Sequence, residues 1–388
     1  MSLEMLGEEQ AVSARFGSAD WSFTAGKQAR GSEFHAYPAR FIPQVPAQVL
    51  DLLGIRSGTV LDPFCGSGTT LAEARRRGLD AVGVDINPIA CLISRVRASR
   101  WAPADESALM THQAALLSAA SESDGIGPEF VEIPRLDHWF SDHAQRALTG
   151  AVRYVRAIDP EDPWRDRVAV SVSAATVRIS RQESDTRYAA VDKAGDQQSA
   201  AGAVARALGR TGQWLRTNTS DYEPDSQVNV YRRDARDLAP IPDASVSAVC
   251  FSPPYPNAYE YWLYHKYRMY WLGFDAVEVR EQEIGARPHY CKPNGLDETD
   301  FAAQMTQVFG ELERVTTSGA PVVVVVGDSV IGGRTVDNGS LLTSVAEASG
   351  FATEFAGKRP IATGRSSFNR AHSRGRKSEH VLLFRREA

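Results

Sequence analysis

Hydrophobic residues near the start of the chain follow an α/β pattern, in which short apolar runs alternate with turns and helical stretches. After an apolar segment at 45–53, a short strand ends at Leu61, a glycine-rich turn follows, and a helix is predicted at 71–77. A second short strand then ends at Asp85. Strand, turn, helix and strand in this order are typical of a parallel sheet whose strands are joined by helices.

The α/β pattern returns in the second half of the chain, where 229–232 and 246–251 each predict a short strand followed by a turn. Five consecutive valines at 322–326 form an unbroken β-branched run. Such a run is typical of a central strand that is buried on both faces of a parallel sheet. The last predicted elements are a helix at 341–348 and strands near 351–355 and 380–385.

Composition divides the chain into four segments. Residues 1–33 are small and polar and predict a loose lead-in. Residues 34–100 and 228–388 carry the α/β pattern, whereas residues 101–227 are rich in Ala, Ser, Asp and Arg, with helical stretches and no convincing run of strands. We therefore predict an α/β fold with a mostly parallel central sheet, a C-terminal antiparallel hairpin and a largely helical insertion, which is a candidate for target recognition.

A glycine-rich loop follows the first predicted strand and opens a helix. Gly66 and Gly68 permit positive φ and let the backbone approach a ligand at the helix N-terminus. Asp85 ends the next strand, 23 residues after Asp62, where a carboxylate can accept hydrogen bonds from ribose hydroxyls. The loop is neither a G-x-G-x-x-G fingerprint nor a phosphate-binding P-loop. The acidic Asp62 before it suits a cationic ligand better than a pyrophosphate.

The tetrapeptide Ser-Pro-Pro-Tyr at 252–255 directly follows the strand predicted at 246–251. Because two prolines cannot continue a hydrogen-bonded ladder, the strand must stop there and present the tetrapeptide at its carboxyl end. In an open α/β sheet, this is the edge at which ligands bind. We therefore expect the tetrapeptide and the glycine-rich loop to meet at one edge of a single sheet.

The run Asp-Pro-Phe-Cys-Gly-Ser-Gly-Thr at 62–69 closely resembles the cofactor loop of the S-adenosylmethionine-dependent DNA amino-methyltransferases, which modify cytosine N4 or adenine N6. The resemblance implies a Rossmann-like methyltransferase fold and S-adenosylmethionine as the cofactor. It also implies that Asp62, Phe64, Gly66 and Gly68 surround the methionine part of the cofactor and that Asp85 binds its ribose.

The resemblance extends to two further places in the chain. The segment 34–43 is similar to the segment of the family that folds over the cofactor, and Asp234 sits where the family places an acid near the adenine amino group. In the other interpretation, Asp234 is a surface-turn acid beside Arg233 and Arg236. The implied cofactor-binding residues are Tyr37, Pro38, Phe41, Asp62, Pro63, Phe64, Cys65, Gly66, Ser67, Gly68, Thr69, Asp85, Ile86, Asn87, Asp234 and Ala235.

By the same resemblance, the candidate catalytic residues are Ser252, Pro253, Pro254 and Tyr255. The amino nitrogen of cytosine or adenine is a weak nucleophile because its lone pair is delocalised into the ring. The Ser252 hydroxyl and the Pro253 carbonyl could each accept one N–H and aim the lone pair at the methyl group, without a covalent intermediate. The target base would have to be flipped out of the duplex, and Tyr255 could stack on it.

Two features of the motifs concern the target base. Within the family a leading serine favours cytosine N4 and a leading aspartate adenine N6, so Ser252 favours cytosine. The cofactor loop precedes the tetrapeptide here, whereas many cytosine-N4 enzymes have the reverse order. Methylation at carbon 5 of cytosine is disfavoured, because it requires a thiolate nucleophile, usually in a Pro-Cys pair, and no proline directly precedes a cysteine.

Local clusters of charge are the signal for nucleic acid in this chain, since its formal net charge is -5. Residues 358–377 contain seven Lys or Arg and no acid, which is typical of a phosphate-contacting loop or of a solvated one. Residues 177–188 mix arginine with side chains that read base edges or that form a charged helix or turn. The candidate contacts to double-stranded DNA are Arg178, Arg181, Lys358, Arg365, Arg370, Arg374 and Arg376.

The four cysteines lie far apart, without a C-x-x-C pair or a Cys/His spacing suited to zinc, so we expect no metal and a reduced thiol environment. The N-terminus lacks a basic region followed by an apolar run, and the longest apolar stretch is shorter than a membrane span. These observations predict a soluble cytoplasmic protein.

The hypothesis that these motifs favour is site-specific DNA amino-methylation, with a cognate restriction or defence system as a candidate partner. Three alternatives stay open: methylation of an RNA base amino group, methylation of a protein side-chain amide, and a non-catalytic, cofactor-sensing DNA-binding protein.

Overall fold

The computed structural model describes residues 3–23, 33–185, 187–257, 259–291, 295–361 and 378–387, with the backbone alone for 3–10. The strands, in chain order, are β1 (Thr59–Asp62), β2 (Asp80–Asp85), β3 (Gln182–Ser184), β4 (Arg187–Ala190), β5 (Val228–Arg232), β6 (Ala248–Phe251), β7 (Pro321–Gly327), β8 (Ser329–Ile331), β9 (Arg334–Val336), β10 (Phe351–Pro360) and β11 (Ser378–Arg386).

The helices, in chain order, are α1 (Leu3–Ser18), α2 (Gln44–Leu53), α3 (Thr69–Arg76), α4 (Pro88–Ala98), α5 (Asp105–Glu122), α6 (Leu136–Trp139), α7 (Asp142–Ala157), α8 (Pro163–Ile179), α9 (Gln197–Asn218), α10 (Tyr261–Trp271), α11 (Ala276–Gln282), α12 (Arg287–Tyr290), α13 (Glu298–Val315) and α14 (Asn338–Ala348). None of the helices described here has both the length and the apolar character required to cross a bilayer.

A seven-stranded sheet forms the centre of the fold, in the order β10-β11-β7-β6-β1-β2-β5. Neighbouring strands from β7 to β5 pair in parallel, whereas β11 is antiparallel to both β7 and β10. The predicted α/β fold, with a mostly parallel sheet and a C-terminal antiparallel hairpin, is therefore confirmed.

The valine run lies in β7, in which every residue is buried. The predicted burial on both faces is confirmed, but β7 has one parallel neighbour, β6, and one antiparallel neighbour, β11. The expectation that it lies inside the parallel part of the sheet is therefore wrong. An apolar run reports that both faces are covered, and it carries no information on the direction of the adjacent strands.

The N-terminal segment packs against the sheet, so the prediction of a loose lead-in over 1–33 is wrong for α1 and the turn after it. Val12 and Phe16 lie one helical turn apart and are buried together with Trp21 against the β7 residue Val325. The Trp21 indole N–H donates to the Phe16 carbonyl at 3.0 Å. Apolar residues four positions apart on a helix share one face, and here that face covers the sheet.

The segment 101–227 leaves the sheet after α4 and returns to it at β5. Its long helices α5, α7, α8 and α9 share a buried core, in which Leu116, Leu148, Val170 and Leu208 are fully covered. This core is continuous with α4 and with Trp271 of α10. Within the described part of this segment, the strands are β3 and β4, which form a short antiparallel hairpin. The sequence analysis did not predict this hairpin.

The parallel arrangement determines where polar residues collect. Because β1, β2, β5, β6 and β7 run in the same direction, their carboxyl ends meet at one edge. At that edge β1 ends at Asp62, β2 ends at Asp85, and β6 is followed by Ser252.

Candidate cofactor and substrate site

A cavity of about 880 Å³ opens at this edge, and both sequence motifs line it. The expectation that the glycine-rich loop and the Ser-Pro-Pro-Tyr loop meet at one edge of one sheet is therefore fulfilled. Two residues from the cofactor set, Pro38 and Gly68, do not line the cavity. The candidate residues that do line it are Tyr37, Phe41, Asp62, Pro63, Phe64, Cys65, Gly66, Ser67, Thr69, Asp85, Ile86, Asn87, Asp234, Ala235, Ser252, Pro253, Pro254 and Tyr255.

Backbone N–H groups fix Asp62 and Asp85, the two acids that end β1 and β2 at the cavity. The Asp62 carboxylate accepts the N–H of Phe64 at 3.1 Å. The two oxygens of Asp85 accept the N–H of Gly66 at 2.9 Å and the N–H of Asn87 at 2.8 Å. Asp85 thereby ties the glycine-rich loop to the start of α4, and each of its oxygens retains one lone pair for a ligand.

Helix α4 supports the glycine-rich loop through hydrogen bonds to its backbone carbonyls. The sequence analysis missed this role. The Ser94 hydroxyl donates to the Gly66 carbonyl at 2.9 Å, and the buried Arg97 donates from Nε to the Ser67 carbonyl at 2.6 Å. Gly68 has φ of 77°, and a Cβ there would lie 2.8 Å from the Ser94 Cα. Gly68 is therefore required for the close approach of the loop to α4, although it does not face the cavity.

The segment 34–43 lies over the glycine-rich loop through Tyr37. A Cβ on Gly66 would lie 3.2 Å from the Tyr37 hydroxyl, so the two residues are in close contact. The Tyr37 ring also stacks on Tyr261 of α10, with 5.9 Å between ring centroids. Tyr37 therefore covers the loop, while Pro38 does not line the cavity.

Three carboxyl groups line the cavity, two of them buried and that of Asp85 half-buried, and desolvation raises the pKa of each. The pKa of Asp62 rises from 3.8 to about 7 and that of Asp85 from 3.8 to about 6. The third is Glu283, whose pKa rises from 4.5 to about 8. Its carboxylate accepts the N–H groups of Tyr261 and Trp262, at 2.9 and 2.8 Å, at the start of α10. Desolvated acids of this kind favour a cationic ligand, which would offset the cost of their ionisation.

Nothing in the local sequence around Glu283 indicated a place in the site. It follows α11, more than 190 residues after Asp85 in the chain. The turn after it brings Gly285 against the Tyr255 backbone, where the Asn257 N–H donates to the Gly285 carbonyl at 3.0 Å. Tertiary contacts of this kind, and the bonds to the start of α10, bring Glu283 to the cavity.

Asp234 lines the cavity and is also paired with Arg236, one of the two arginines that lie beside it in the sequence. Its Oδ1 accepts Nε of Arg236 at 2.9 Å and its Oδ2 accepts Nη2 at 2.5 Å. Arg236 donates in addition to the Gln282 carbonyl at 3.1 Å. The carboxylate is therefore held in a fixed orientation at the cavity wall.

The Ser-Pro-Pro-Tyr loop is anchored by the C-terminal hairpin. The Tyr255 hydroxyl donates to Oε1 of Glu379 at 3.0 Å and lies 3.4 Å from the Ser252 hydroxyl. Nε of Arg359 donates to Oε2 of the same glutamate at 2.6 Å. A Cβ on Gly327 would lie 3.0 Å from the Tyr255 ring. The sequence analysis did not predict these partners, and it grouped Arg359 with the basic loop.

The candidate DNA contacts are placed only in part. Arg178 is exposed on the last turn of α8, and Arg181 pairs with Asp192 at 3.0 Å. Neither lines the cavity, and Lys358 is exposed on β10. The remaining candidates, Arg365, Arg370, Arg374 and Arg376, lie outside the described residues.

Among the described residues, one group combines side chains that can bind metals: Asp328, Asp337 and His380. Hydrogen bonds within the protein account for its geometry. Nε2 of His380 lies 2.8 Å from the Asp328 carboxylate, and the Asp337 carboxylate caps α14 by accepting the Ser340 N–H at 2.9 Å. We therefore assign a structural role to this group.

Comparison with known proteins is consistent with the geometry. Residues 12–95 match the family described as DNA methylase. The Type II methyltransferase M.MjaII of Methanocaldococcus jannaschii is 37% identical over 67 residues, which are 17% of this chain and 13% of that protein. M.BsoBI of Geobacillus stearothermophilus, also a Type II methyltransferase, is 22% identical over 287 residues, or 67% of this chain and 56% of that protein.

A third relative, the tRNA (guanine(10)-N2)-dimethyltransferase of Methanothermobacter thermautotrophicus, is 40% identical over 52 residues, or 13% of this chain and 16% of that protein. The chain spans less than two thirds of the length of each of these three relatives. The matched family segment contains the glycine-rich loop, Asp85 and the start of α4. The segment 12–95 of this chain is therefore similar to the DNA methylase family of amino-methyltransferases, and the cofactor of the chain is S-adenosylmethionine.

Proposed function

We propose that this protein transfers a methyl group from S-adenosylmethionine to the exocyclic amino group of a flipped DNA base, with cytosine N4 favoured over adenine N6. The observation that carries the proposal is the meeting of the glycine-rich loop and the Ser-Pro-Pro-Tyr loop in one cavity. S-adenosylmethionine supplies a methyl group on a positively charged sulfur. The carboxyl groups of Asp62, Asp85 and Glu283 fit a ligand that carries positive charge.

In this proposal the cofactor half of the cavity binds and orients. Asp85 would accept hydrogen bonds from the ribose hydroxyls, as the lone pairs on its oxygens allow. Asp234, fixed by Arg236, would accept a hydrogen bond from the adenine amino group. Tyr37 covers the loop at Gly66 and would exclude water from that part of the cavity.

The substrate half acts on the amino nitrogen. The Ser252 hydroxyl and the Pro253 carbonyl would each accept one N–H, which draws the nitrogen toward tetrahedral geometry and directs its lone pair. The nitrogen loses one proton during transfer, and the Ser252 hydroxyl lies 3.4 Å from the Tyr255 hydroxyl, which donates to Glu379. This chain of polar groups offers the proton a route out of the cavity. The Tyr255 ring would stack on the base and offset part of the cost of flipping it, about a few kcal/mol.

The leading serine of the tetrapeptide supports cytosine N4, and the names of the Type II relatives support DNA as the substrate and a restriction or defence system as the partner. DNA as the substrate implies action in the cytoplasm. Lys358, exposed on β10, would contact DNA phosphates near the flipped base. The match to a tRNA methyltransferase keeps methylation of an RNA amino group as the second candidate.

The experiment incubates the purified protein with labelled S-adenosylmethionine and either DNA or RNA, and identifies the modified nucleoside by mass spectrometry. We expect N4-methylcytosine in DNA. Ser252→Ala should reduce transfer by about 100-fold or more, the scale on which removal of one positioned polar group acts on catalysis, and should leave cofactor affinity unchanged. Ser344→Ala, on the exposed face of α14, is the matched control and should retain full activity.

Each other outcome changes a specific part of the proposal. A Ser252→Ala protein that methylates at the full rate refutes the role of the tetrapeptide. Modification of adenine alone would overturn the preference for cytosine, and modification of RNA alone would establish the second candidate. Cofactor binding without any methylated product would favour the non-catalytic alternative.

A further inference from the structure

The order of the strands divides the cavity at Ser252. On one side of β6 lie β1, β2 and β5, whose carboxyl ends carry the cofactor residues Asp62, Asp85 and Asp234. On the other side lie β7, β11 and β10. If the proposed function holds, a base whose amino group reaches Ser252 can extend only toward this second side, because the cofactor occupies the first.

Arg359 and Glu379 are the charged pair on the wall of this second side. The Arg359 side chain is 9% exposed, and its Nε donates to Glu379 at 2.6 Å. Among the described residues Nη1 and Nη2 donate no hydrogen bond, and the Phe23 ring lies 5.7 Å from Cζ. A guanidinium at a cavity wall whose Nη donors bind none of the described residues favours a ligand with acceptor atoms.

Glu379 fixes the direction of this guanidinium. One of its oxygens accepts Arg359 Nε and the other accepts the Tyr255 hydroxyl, which in turn lies 3.4 Å from the Ser252 hydroxyl. Arg359 is thus connected to Ser252 through two intervening side chains. Because each of its two carboxylate oxygens already accepts a hydrogen bond, Glu379 orients Arg359 and Tyr255 and is less available to the substrate.

The chemistry of the bases then distinguishes the two candidate substrates. Along the edge that begins at its amino group, cytosine presents two adjacent acceptors, N3 and O2. Adenine presents N1 followed by a C–H group. A guanidinium donates two parallel hydrogen bonds, so it can satisfy both acceptors of cytosine but only one of adenine.

We propose that Arg359 is the specificity-determining residue of this site and reads N3 and O2 of a flipped cytosine, with Glu379 as the positioning residue that holds it. This proposal rests on the proposed function and adds the identity of the base and the residue that selects it. It also explains why the C-terminal hairpin is tied to the Ser-Pro-Pro-Tyr loop: the same contact aligns the base for transfer and checks its acceptor edge.

The test uses the full chain and a duplex that contains its methylation site, after that site has been mapped in methylated DNA. One duplex carries cytosine at the target position, and a second carries 3-deazacytosine, which lacks the N3 acceptor. We expect Arg359→Met to lower kcat/KM on the cytosine duplex by about 10- to 100-fold, the range for one or two hydrogen bonds to a charged group. The wild-type protein should lose a similar factor on 3-deazacytosine, whereas Arg359→Met should lose little more.

Controls separate reading of the base from support of the fold. Arg359→Lys, which keeps the charge but lacks the parallel pair of donors, should retain intermediate activity and the preference for cytosine over 3-deazacytosine. Arg334→Met removes an exposed arginine that is also paired with a glutamate, Glu298, at 3.0 Å, and should leave kcat/KM unchanged. The dissociation constant for S-adenosylmethionine, measured by calorimetry, should be the same in every variant.

The results that would overturn this inference are distinct from those that would overturn the proposed function. If replacing cytosine by 3-deazacytosine lowers kcat/KM by the same factor in the wild type and in Arg359→Met, then Arg359 does not read N3. N6-methyladenine as the product would refute the inference but leave amino-methylation of DNA standing. No methylated base in any nucleic acid would refute the proposed function itself.

Discussion

Replacing Asp62 by asparagine should make the ligand-free protein more stable at alkaline pH while weakening its affinity for the cofactor. Burial raises the pKa of this carboxyl group from 3.8 to about 7, and its relative exposure is 3%. Asparagine keeps an oxygen that can accept the Phe64 N–H but carries no charge. The substitution therefore removes a buried charge without removing the acceptor.

The magnitude and the sign follow from proton linkage. Between pH 3.8 and about 7 the folded protein holds a proton on Asp62 that the unfolded chain has lost, so the free energy of unfolding falls as pH rises. The free energy of unfolding falls by about 1.4 kcal/mol per pH unit over this range and stops falling above pH 7. The Asp62→Asn variant has no titrating group at this position, so its free energy of unfolding does not fall for this reason. Its advantage over the wild type should therefore grow by about 3 kcal/mol between pH 5 and pH 8, an upper value because water in the cavity lowers the cost of the charge.

Urea unfolding at both pH values, followed by tryptophan fluorescence, measures this difference directly. Asp124→Asn, at an exposed aspartate, is the matched control and should show no pH-dependent difference. Titration calorimetry should show cofactor affinity reduced by about 10- to 100-fold in Asp62→Asn, because a hydrogen bond or ion pair to a charged group is worth about 1.5–3 kcal/mol. A variant whose advantage is equal at pH 5 and pH 8, or which is less stable at pH 8, would refute the reasoning.

Two further predictions concern the support of the site. Gly68→Ala should destabilise the protein by more than the about 1–2 kcal/mol cost of φ near 77°, because its Cβ would also press on the Ser94 Cα. Gly319→Ala, with φ of 73° and no atom within 4 Å, isolates the conformational cost, and equal losses in urea unfolding would show that the contact with α4 is unimportant. Phe16→Ala should cost about 3–5 kcal/mol because the ring is fully buried. Met110→Ala, at an exposed side chain, should be neutral in the same assay, and a neutral Phe16→Ala would mean that α1 does not cover the sheet.

The sequence by itself determined the two loops and the edge at which they meet. Prolines 253 and 254 end β6 wherever that strand lies, and the glycines after Asp62 permit the turn that opens α3. Both effects act over a few residues, so they can be read without knowledge of the fold. Strand, turn and helix in the same order also predicted a mostly parallel sheet, and parallel strands must place their carboxyl ends together.

Tertiary structure alone decided which distant residues complete the site. Glu379 reaches Tyr255 across 124 positions of sequence, and Glu283 enters the cavity through a turn that carries no motif. The antiparallel neighbour of β7 and the burial of Phe16 were likewise decided by packing. A contact between residues far apart in the chain depends on how whole elements pack, and the chemistry of each residue's neighbours in sequence does not record that. Local chemistry therefore predicted where the candidate site lies, whereas packing selected the charged side chains that surround it.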